Sequence, residues 1–310
     1  MNFKKPKFWD NSRLSFWSII LYPISLLLLF LSFISKLIKI EKKFSVPIIC
    51  VGNIYVGGTG KTPLAKEIFK ITKSLGKNPA FVKKYYSYLE DEINMLQENG
   101  KTFFLKNRKD SLNSLIKNGH DLAILDDGFQ DLSIYKNLNI VCFNQKQWIG
   151  NQFVIPAGPL REKLSALRRA DCILINGNKD SKIENEIYKA NKSSKIFYSK
   201  YKALDINRFK EKKVCAFAGI GNPSNFFELL KENNLNIINT FSFPDHHNYS
   251  YTELQNMYNK FSNCTLLTTE KDFCRIGLDS NLKGFNIEYL KVRLEIENKD
   301  KFIELIKEKI

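Results

Sequence analysis

The apolar residues of this chain gather in short continuous runs with amphipathic stretches between them. That is the pattern of strands buried on both faces and covered by helices. Residues 46–51 (Val-Pro-Ile-Ile-Cys-Val) form the first such run, and residues 64–75 then place apolar positions at helical spacing. Further strand-type runs lie at 79–82, 121–127, 138–143, 172–176 and 195–198, with helical patterns over 91–96 and 112–116. Strands alternating with helices predict a mostly parallel α/β domain that ends near residue 206. A charged stretch, 207–213, precedes a second α/β pattern. Its strand candidates are 214–218, 237–243, 265–268 and 287–292, and its helix candidates 226–230, 251–261 and 301–309. The expected division is 1–40, 41–206 and 207–310, with no repeat and no low-complexity linker.

Residues 14–34 break the pattern, because they are almost wholly apolar. About 20 apolar residues can span a bilayer. Lys4, Lys5, Lys7 and Arg13 precede the run, and Lys36, Lys39, Lys42 and Lys43 follow it. Basic residues on both sides set no orientation across a membrane. They suit a segment resting in a leaflet with anionic headgroups. Three readings stay open: an embedded anchor, a true span, and a buried helix of a soluble protein. Pro23 is expected to kink or break the helix. No small-residue cleavage site follows the run, which argues against a removed signal peptide.

Directly after the first strand run, residues 52–63 read Gly-Asn-Ile-Tyr-Val-Gly-Gly-Thr-Gly-Lys-Thr-Pro. A glycine-rich turn between a buried strand and a helix points backbone N–H groups at phosphate, with the helix N-terminus behind them. The cradle is Tyr55, Val56, Gly57, Gly58, Thr59, Gly60, Lys61 and Thr62. Lys61 is expected on the β/γ-phosphates and the Thr62 hydroxyl on Mg²⁺. The usual pattern has Gly six residues before the Lys, where this chain has Tyr55. Asn178-Lys179-Asp180-Ser181 misses the guanine-specific spacing by one residue, which favours ATP over GTP.

Asp126-Asp127 closes the strand run at 121–127, where a P-loop protein carries a carboxylate that holds Mg²⁺ directly or through water. Asp-Asp-Gly is also ordinary turn chemistry. Asp245-His246-His247 holds two of the three histidines of the chain. By themselves they read as metal ligands, catalytic groups or surface residues. No Cys lies near enough to make a zinc site.

The net charge of +16 attracts nucleic acid, anionic membranes or phosphorylated substrates. The charge is spread along the whole chain with no Arg-rich arm or zinc-finger spacing, which argues against a nucleic-acid surface. The six cysteines form no C-x-x-C pair, and Cys50, Cys142 and Cys172 lie in strand runs as small core residues of a reducing compartment.

Seven stretches, in order, resemble the tetraacyldisaccharide 4′-kinase family, the lipid A 4′-kinases of Gram-negative bacteria. They are Gly52-Asn53 with Gly57-Gly58-Thr59-Gly60-Lys61-Thr62-Pro63; Asp91-Glu92; Asp126-Asp127-Gly128-Phe129-Gln130; Pro156-Ala157-Gly158-Pro159-Leu160-Arg161-Glu162; Phe217-Ala218-Gly219-Ile220-Gly221-Asn222-Pro223; Pro244-Asp245-His246-His247; and Thr268-Thr269-Glu270-Lys271-Asp272. The phosphate loop without its first glycine is the form this family has. The resemblance implies a P-loop NTPase-like α/β/α domain, a second, smaller α/β/α domain, a short β linker and an N-terminal membrane-associated helix. It implies transfer of the ATP γ-phosphate, with Mg²⁺, to the 4′-hydroxyl of a lipid A disaccharide precursor at the cytoplasmic face of the inner membrane. Anionic inner-membrane lipids are the implied surroundings, and no nucleic acid or obligate protein partner is implied.

The same resemblance assigns roles. Asp91 matches the catalytic carboxylate and His246 the group that orients or tunes it. Lys61 neutralises charge in the transfer. Glu92, Asp126 and Asp127 join Thr62 in support of the metal. Asn53, Gln130 and Arg161 face substrate; Arg161 reads as a phosphate contact or as a structural ion pair. Residues 268–272 receive no role. The chain departs from the family at Lys83-Lys84-Tyr85-Tyr86-Ser87, where Ser-Arg-Gly-Tyr-Gly is usual, and at Asp131, where His is common. The rival reading is a membrane-associated P-loop ATPase acting as a switch or scaffold. Such switches carry a Lys where this chain has Val56.

Overall fold

The computed structural model describes residues 5–10, 15–86, 90–278, 282 and 285–310. Lys4, Arg13, Leu14 and Ser87 of the segments above lie outside them. The chain divides into two compact units. The larger comprises Lys5–Tyr85, Asn99–Lys200 and Ile296–Ile310; the smaller holds Tyr86–Glu98 and Tyr201–Glu295.

Helix α1 (Phe16–Leu37) opens the larger unit. It runs unbroken through Pro23, so of the kink or break expected there the break does not occur. A proline removes one i→i−4 hydrogen bond, and in a strongly apolar helix the adjoining turns can carry the loss. Ser18 and Ser25, two turns apart, are its buried positions. Ser25 Oγ donates to Val154 O at 2.8 Å, and Asn151 Nδ2 donates to Ser18 Oγ at 3.0 Å. These two hydroxyls dock the helix, while large apolar residues such as Trp17, Leu27, Phe30 and Phe33 are exposed. Among the described residues α1 is the one helix long and apolar enough to cross a membrane.

The rest of the larger unit is built on β1 (Ile48–Gly52), α2 (Lys61–Ser74), β2 (Pro79–Lys84), and then, past α3 (Glu90–Gln97) of the smaller unit, β3 (Thr102–Leu105), α4 (Arg108–Lys117), β4 (Leu122–Asp126), β5 (Leu138–Asn144), β6 (Cys172–Asn176), α5 (Ser181–Ala190) and β7 (Lys195–Ala203). Every residue of β1 and β4 is buried, as the continuous apolar runs require of strands covered on both faces. The sheet order is β3-β2-β4-β1-β5-β6-β7, and these pairs are parallel. Strand order reverses at β1, so the crevice at its carboxyl end is where an open α/β sheet binds a ligand.

The smaller unit has its own parallel sheet, β11-β10-β8-β9, from β8 (Lys213–Ala218), β9 (Asn236–Ser242), β10 (Thr265–Thr269) and β11 (Ile287–Leu290). The period of two in β8 sorts its core. Val214, Ala216 and Ala218 pack with Phe226, Phe227 and Leu230 of α6 (Pro223–Glu232). Cys215 and Phe217 pack on the other face with Leu254 and Met257 of α7 (Tyr251–Lys260) and Ile276 of α8 (Glu270–Leu278). Helix α3 packs against α8.

The last helix differs from the sequence division. α9 (Lys299–Lys307) belongs to the larger unit, where its apolar face buries Phe302, Leu305 and Ile306. The Phe302 ring meets Phe197 of β7 edge-on, centroids 5.2 Å apart, and Lys299 pairs with Glu67 of α2 at 2.6 Å. Residues 86–98 depart the other way, joining the smaller unit through α3. Helical patterns do not say which sheet they cover. Four of the six cysteines, Cys50, Cys142, Cys172 and Cys215, are buried thiols, which includes the three read as core residues.

Phe302→Ala is expected to destabilise the larger unit by about 3–5 kcal/mol, since Phe302 is fully buried. Urea unfolding of the full chain measures this, and an unchanged midpoint would place α9 outside that core.

Candidate active site

The phosphate loop is shaped by backbone positions open only to glycine. Gly57 and Gly60 have φ of 124° and 91°, and Gly60 caps α2 in the left-handed region. The first turn of α2 therefore begins at Lys61 with its N–H groups free for an anion. Asn53 is buried and donates from Nδ2 to Thr59 Oγ1 at 2.9 Å, which holds the loop across its mouth.

Tyr55 replaces the first glycine because its side chain has gone inward. It is fully buried, accepts from Lys5 Nζ at 2.6 Å and donates to Asp10 Oδ1 at 2.8 Å. Burial, then the Asp10 carboxylate, pushes the phenol well above its usual range. The backbone on either side is strapped to a second segment: Val56 N donates to Pro159 O at 2.8 Å, and Arg161 N to Ile54 O at 2.7 Å. Arg161 is thereby aimed at Asp127, which it meets from Nη1 at 2.8 and 3.0 Å. The next residue, Glu162, accepts from Arg169 and from Lys36 of α1. Burial would raise its pKa, but these cations outweigh it and the carboxyl is lowered.

The two carboxylates after β4 play different parts. Asp126 is fully buried; its Oδ2 accepts from Thr62 Oγ1 at 3.1 Å and pairs with Lys83 Nζ at 2.6 Å. Its Oδ1 is buried and has no hydrogen-bond partner among the described residues. Asp127, at φ 62°, turns back toward Arg161 and lies 3.9 Å from Lys61. Burial alone would raise it, but Lys61, Arg161 and Lys83 bring it down to about 2. Gln130 Nε2 donates to Asn53 O at 2.7 Å and its Oε1 is 3.5 Å from Arg161 Nη1. Asn53, Gln130 and Arg161 are thus one polar chain beside the phosphate loop.

The acid–base candidates lie in the smaller unit. Asp91, in the first turn of α3, is 2 % exposed. Its Oδ2 accepts from Arg275 Nη2 and its buried Oδ1 has no hydrogen-bond partner among the described residues. His246 Nδ1 is 3.7 Å from Asp91 Oδ2 and 3.3 Å from Arg275 Nη2, so the arginine touches both ends of that pair from the side. Lys271 Nζ lies 3.2 Å from His246 Nε2 and pairs with Glu92 at 3.1 Å and Asp245 at 3.4 Å. Burial, then the Lys271 charge, lowers the His246 pKa, which keeps the ring neutral at physiological pH. His247 stacks on Phe243 and lies 3.1 Å from Glu253, a separate contact.

Oxygen donors suit a hard divalent cation. Thr62 with the open Oδ1 of Asp126 fits the P-loop arrangement of a hydroxyl and a strand-end carboxylate. Asp127 and Glu92, also assigned to the metal from the sequence, pair here with Arg161 and Lys271. Among the described residues no three His, Cys, Asp or Glu side chains gather as a metal cluster. Lys83 and Arg275 lie outside the quoted motifs, and Lys271 and Asp272 lie in the one at 268–272 to which no role was given. The signals were the departure at Lys83 and the role-less stretch 268–272. Asp131, the other departure, is structural: it accepts from Ser133 and pairs with Arg108 at 3.3 Å.

A strand–glycine loop–helix cradle, a strand-end carboxylate under it and a second α/β unit define a P-loop NTPase-like protein. The comparisons narrow this. The family described as Tetraacyldisaccharide-1-P 4′-kinase matches residues 17–102 and 87–310. The tetraacyldisaccharide 4′-kinase of Pelagibacter ubique is 41% identical over 307 residues, 96% of this chain and 95% of that protein. That of Rickettsia bellii is 36% identical over 97% of each. The solved structure of LpxK from Aquifex aeolicus in complex with ATP is similar with a TM-score of 0.67 and 26% identity, covering 94% of this chain and 96% of that one. The chain belongs to the tetraacyldisaccharide 4′-kinase family and is a kinase.

Two outcomes follow from the charges in the larger unit. Lys83→Met leaves a buried carboxylate uncompensated and is expected to cost about 3–5 kcal/mol in urea unfolding. Adding Asp126→Asn should recover at least half of it, and a simple sum of losses would argue against the pair. Arg161→Ala removes a cation that depresses Asp127. Its titration, followed by carboxyl NMR, should move up from about 2 toward 3.8. A depressed carboxylate stabilises the fold above its unfolded pKa and loses that contribution as pH falls through the folded value. The variant's acid unfolding should therefore begin at higher pH.

Proposed function

We propose that this chain transfers the γ-phosphoryl group of ATP to the 4′-hydroxyl of a tetraacyldisaccharide 1-phosphate, with Mg²⁺, at the cytoplasmic face of the inner membrane. The observation that carries the reading is the cradle of residues 57–62 set over Asp126, whose Oδ2 bonds Thr62 while Oδ1 is left open. The Aquifex aeolicus relative, solved with ATP, supports the choice of nucleotide.

The roles follow from the chemistry of each group. Backbone N–H groups at the start of α2 receive the phosphates, and Lys61 neutralises charge that builds on them. Thr62 and Asp126 would hold Mg²⁺, which supplies further neutralisation of the transferring group. Asp91 takes the proton of the attacking hydroxyl at Oδ1, which has no hydrogen-bond partner among the described residues. Neutral His246 packs beside it without adding a charge that would compete for that proton. The exposed apolar face of α1 enters the leaflet, and the anionic headgroups meet the lysines around it.

Purified protein in detergent should phosphorylate a tetraacylated disaccharide 1-phosphate with Mg-ATP. Intact ATP binding with no labelled product would sink the kinase reading. Asp91→Ala should lower kcat by about 10²–10⁴, the span general-base catalysis covers, with ATP affinity nearly unchanged. Lost ATP affinity at an unaltered kcat would remove Asp91 from the base role.

A further inference from the structure

Residues 268–272 and the arginine three positions beyond lie in the smaller unit with Asp91, and their geometry is that of a mount. Thr268 Oγ1 donates to Phe217 O at 2.8 Å, tying the end of β10 to the end of β8. Asp272 is fully buried; its Oδ2 accepts from Gly219 N at 3.0 Å and from Thr269 Oγ1 at 2.7 Å. Its Oδ1 lies 3.4 Å from Arg275 Nη1. The same Nη1 is 3.3 Å from His247 O and 3.5 Å from Gly219 O. One arm of the guanidinium is thus held by three oxygens around the β8 loop. A Cβ at Gly219 would lie 2.9 Å from Tyr249 Oη and 3.1 Å from Asp272 Oδ1, so a side chain there would have to push these groups aside.

The other arm is what Asp91 receives. Arg275 Nη2 donates to Asp91 Oδ2 and lies 3.3 Å from His246 Nδ1. A planar guanidinium is rigid, so anchoring Nη1 fixes where Nη2 points. His246 stands at φ 57° with its N–H on Gly219 O at 3.1 Å, which holds the ring against the same arm. Asp91 is consequently held by one oxygen, and its buried Oδ1 has no hydrogen-bond partner among the described residues.

We propose that Arg275, mounted on Asp272, Thr269 and Gly219, is the positioning residue for Asp91. It fixes the carboxylate by Oδ2 so that Oδ1 alone is left to accept the hydroxyl proton, and this orientation is the role of residues 268–272. His246, 3.7 Å from Asp91 Oδ2 and 3.3 Å from Arg275 Nη2, supports both partners of this mount. Lys271, paired with Glu92 and Asp245, spans the other side of His246 and keeps the ring from turning away.

The inference rests on the kinase reading with Asp91 as base. Wild-type turnover on the tetraacylated acceptor tests that reading first, and its absence would end it whatever Arg275 does. Given turnover, Arg275→Met, Arg275→Lys, Asp91→Ala and the double variant Asp91→Ala/Arg275→Met are compared for kcat, KM of both substrates, ATP affinity and Tm. A mispositioned base loses on the order of 10²-fold in rate. Arg275→Met should lose about that in kcat with ATP affinity unchanged. Arg275→Lys, a single-point donor, should fold as wild type and lose about tenfold. Guanidinium ion at non-denaturing concentration should restore part of the Arg275→Met rate. In the Asp91→Ala background Arg275→Met should cost nothing further, because a mount has no effect without the group it holds. Multiplying losses in the double variant, or a wild-type kcat in Arg275→Lys at unchanged Tm, would overturn the proposal. If Arg275→Met does not fold, the Arg275→Lys rate and its cycle with Asp91→Ala decide it alone.

Discussion

The larger unit depends on a two-bond strap between residues 54–56 and 159–161. It joins the phosphate loop to a segment more than a hundred residues later, and much of the site hangs from it. Arg161 is directed at Asp127 because its own N–H is fixed on Ile54. Glu162, one step on, receives Lys36 and so connects the strap to the end of the apolar helix. Backbone hydrogen bonds of this kind tolerate no slip of register, since a one-residue shift would turn Arg161 away. The loop can dispense with its first glycine because Tyr55 sits on the strap with its ring inside the core.

Charge burial is the second constraint. Asp126 and Lys83 are both nearly inaccessible, and a buried carboxylate without a partner costs several kcal/mol. The cation lies on β2, the neighbour of β4 in the sheet, at Lys83, which registers opposite Asp126. In the smaller unit four carboxylates, Asp91, Glu92, Asp245 and Asp272, surround two cations, Lys271 and Arg275. Burial works against the Lys271 charge, yet Glu92, Asp245 and Asp91 hold its pKa above the usual range.

Much of the fold was legible because parallel strands buried on both faces leave continuous apolar runs. The runs at 46–51, 121–127, 138–143 and 172–176 hold strands within a residue or two of those limits. β3 was not read from the sequence, since only Thr102 of its four residues is buried and it lies at the sheet edge. Helices α5 and α8 also went unread; the first is short and charged, and the second overlaps the motif at 268–272. The phosphate loop, Asp126 and Thr62 could be named in advance because their chemistry depends on local spacing. Lys83 and Arg275 could not, because their partners lie 43 and 184 residues away.

The sequence by itself determined the phosphate loop, the alternation of strand and helix, the apolar helix at the start and the order of the motifs. Each is a local property, set by backbone freedom at glycine or by the period of buried positions. Tertiary structure alone decided which unit takes α3 and α9, that Tyr55 turns inward, that Arg161 meets Asp127, and that Arg275 meets both His246 and Asp91. These are contacts between segments far apart in the chain. Amphipathic helices and long cations fit many partners, and only packing and the need to pair buried charge select one.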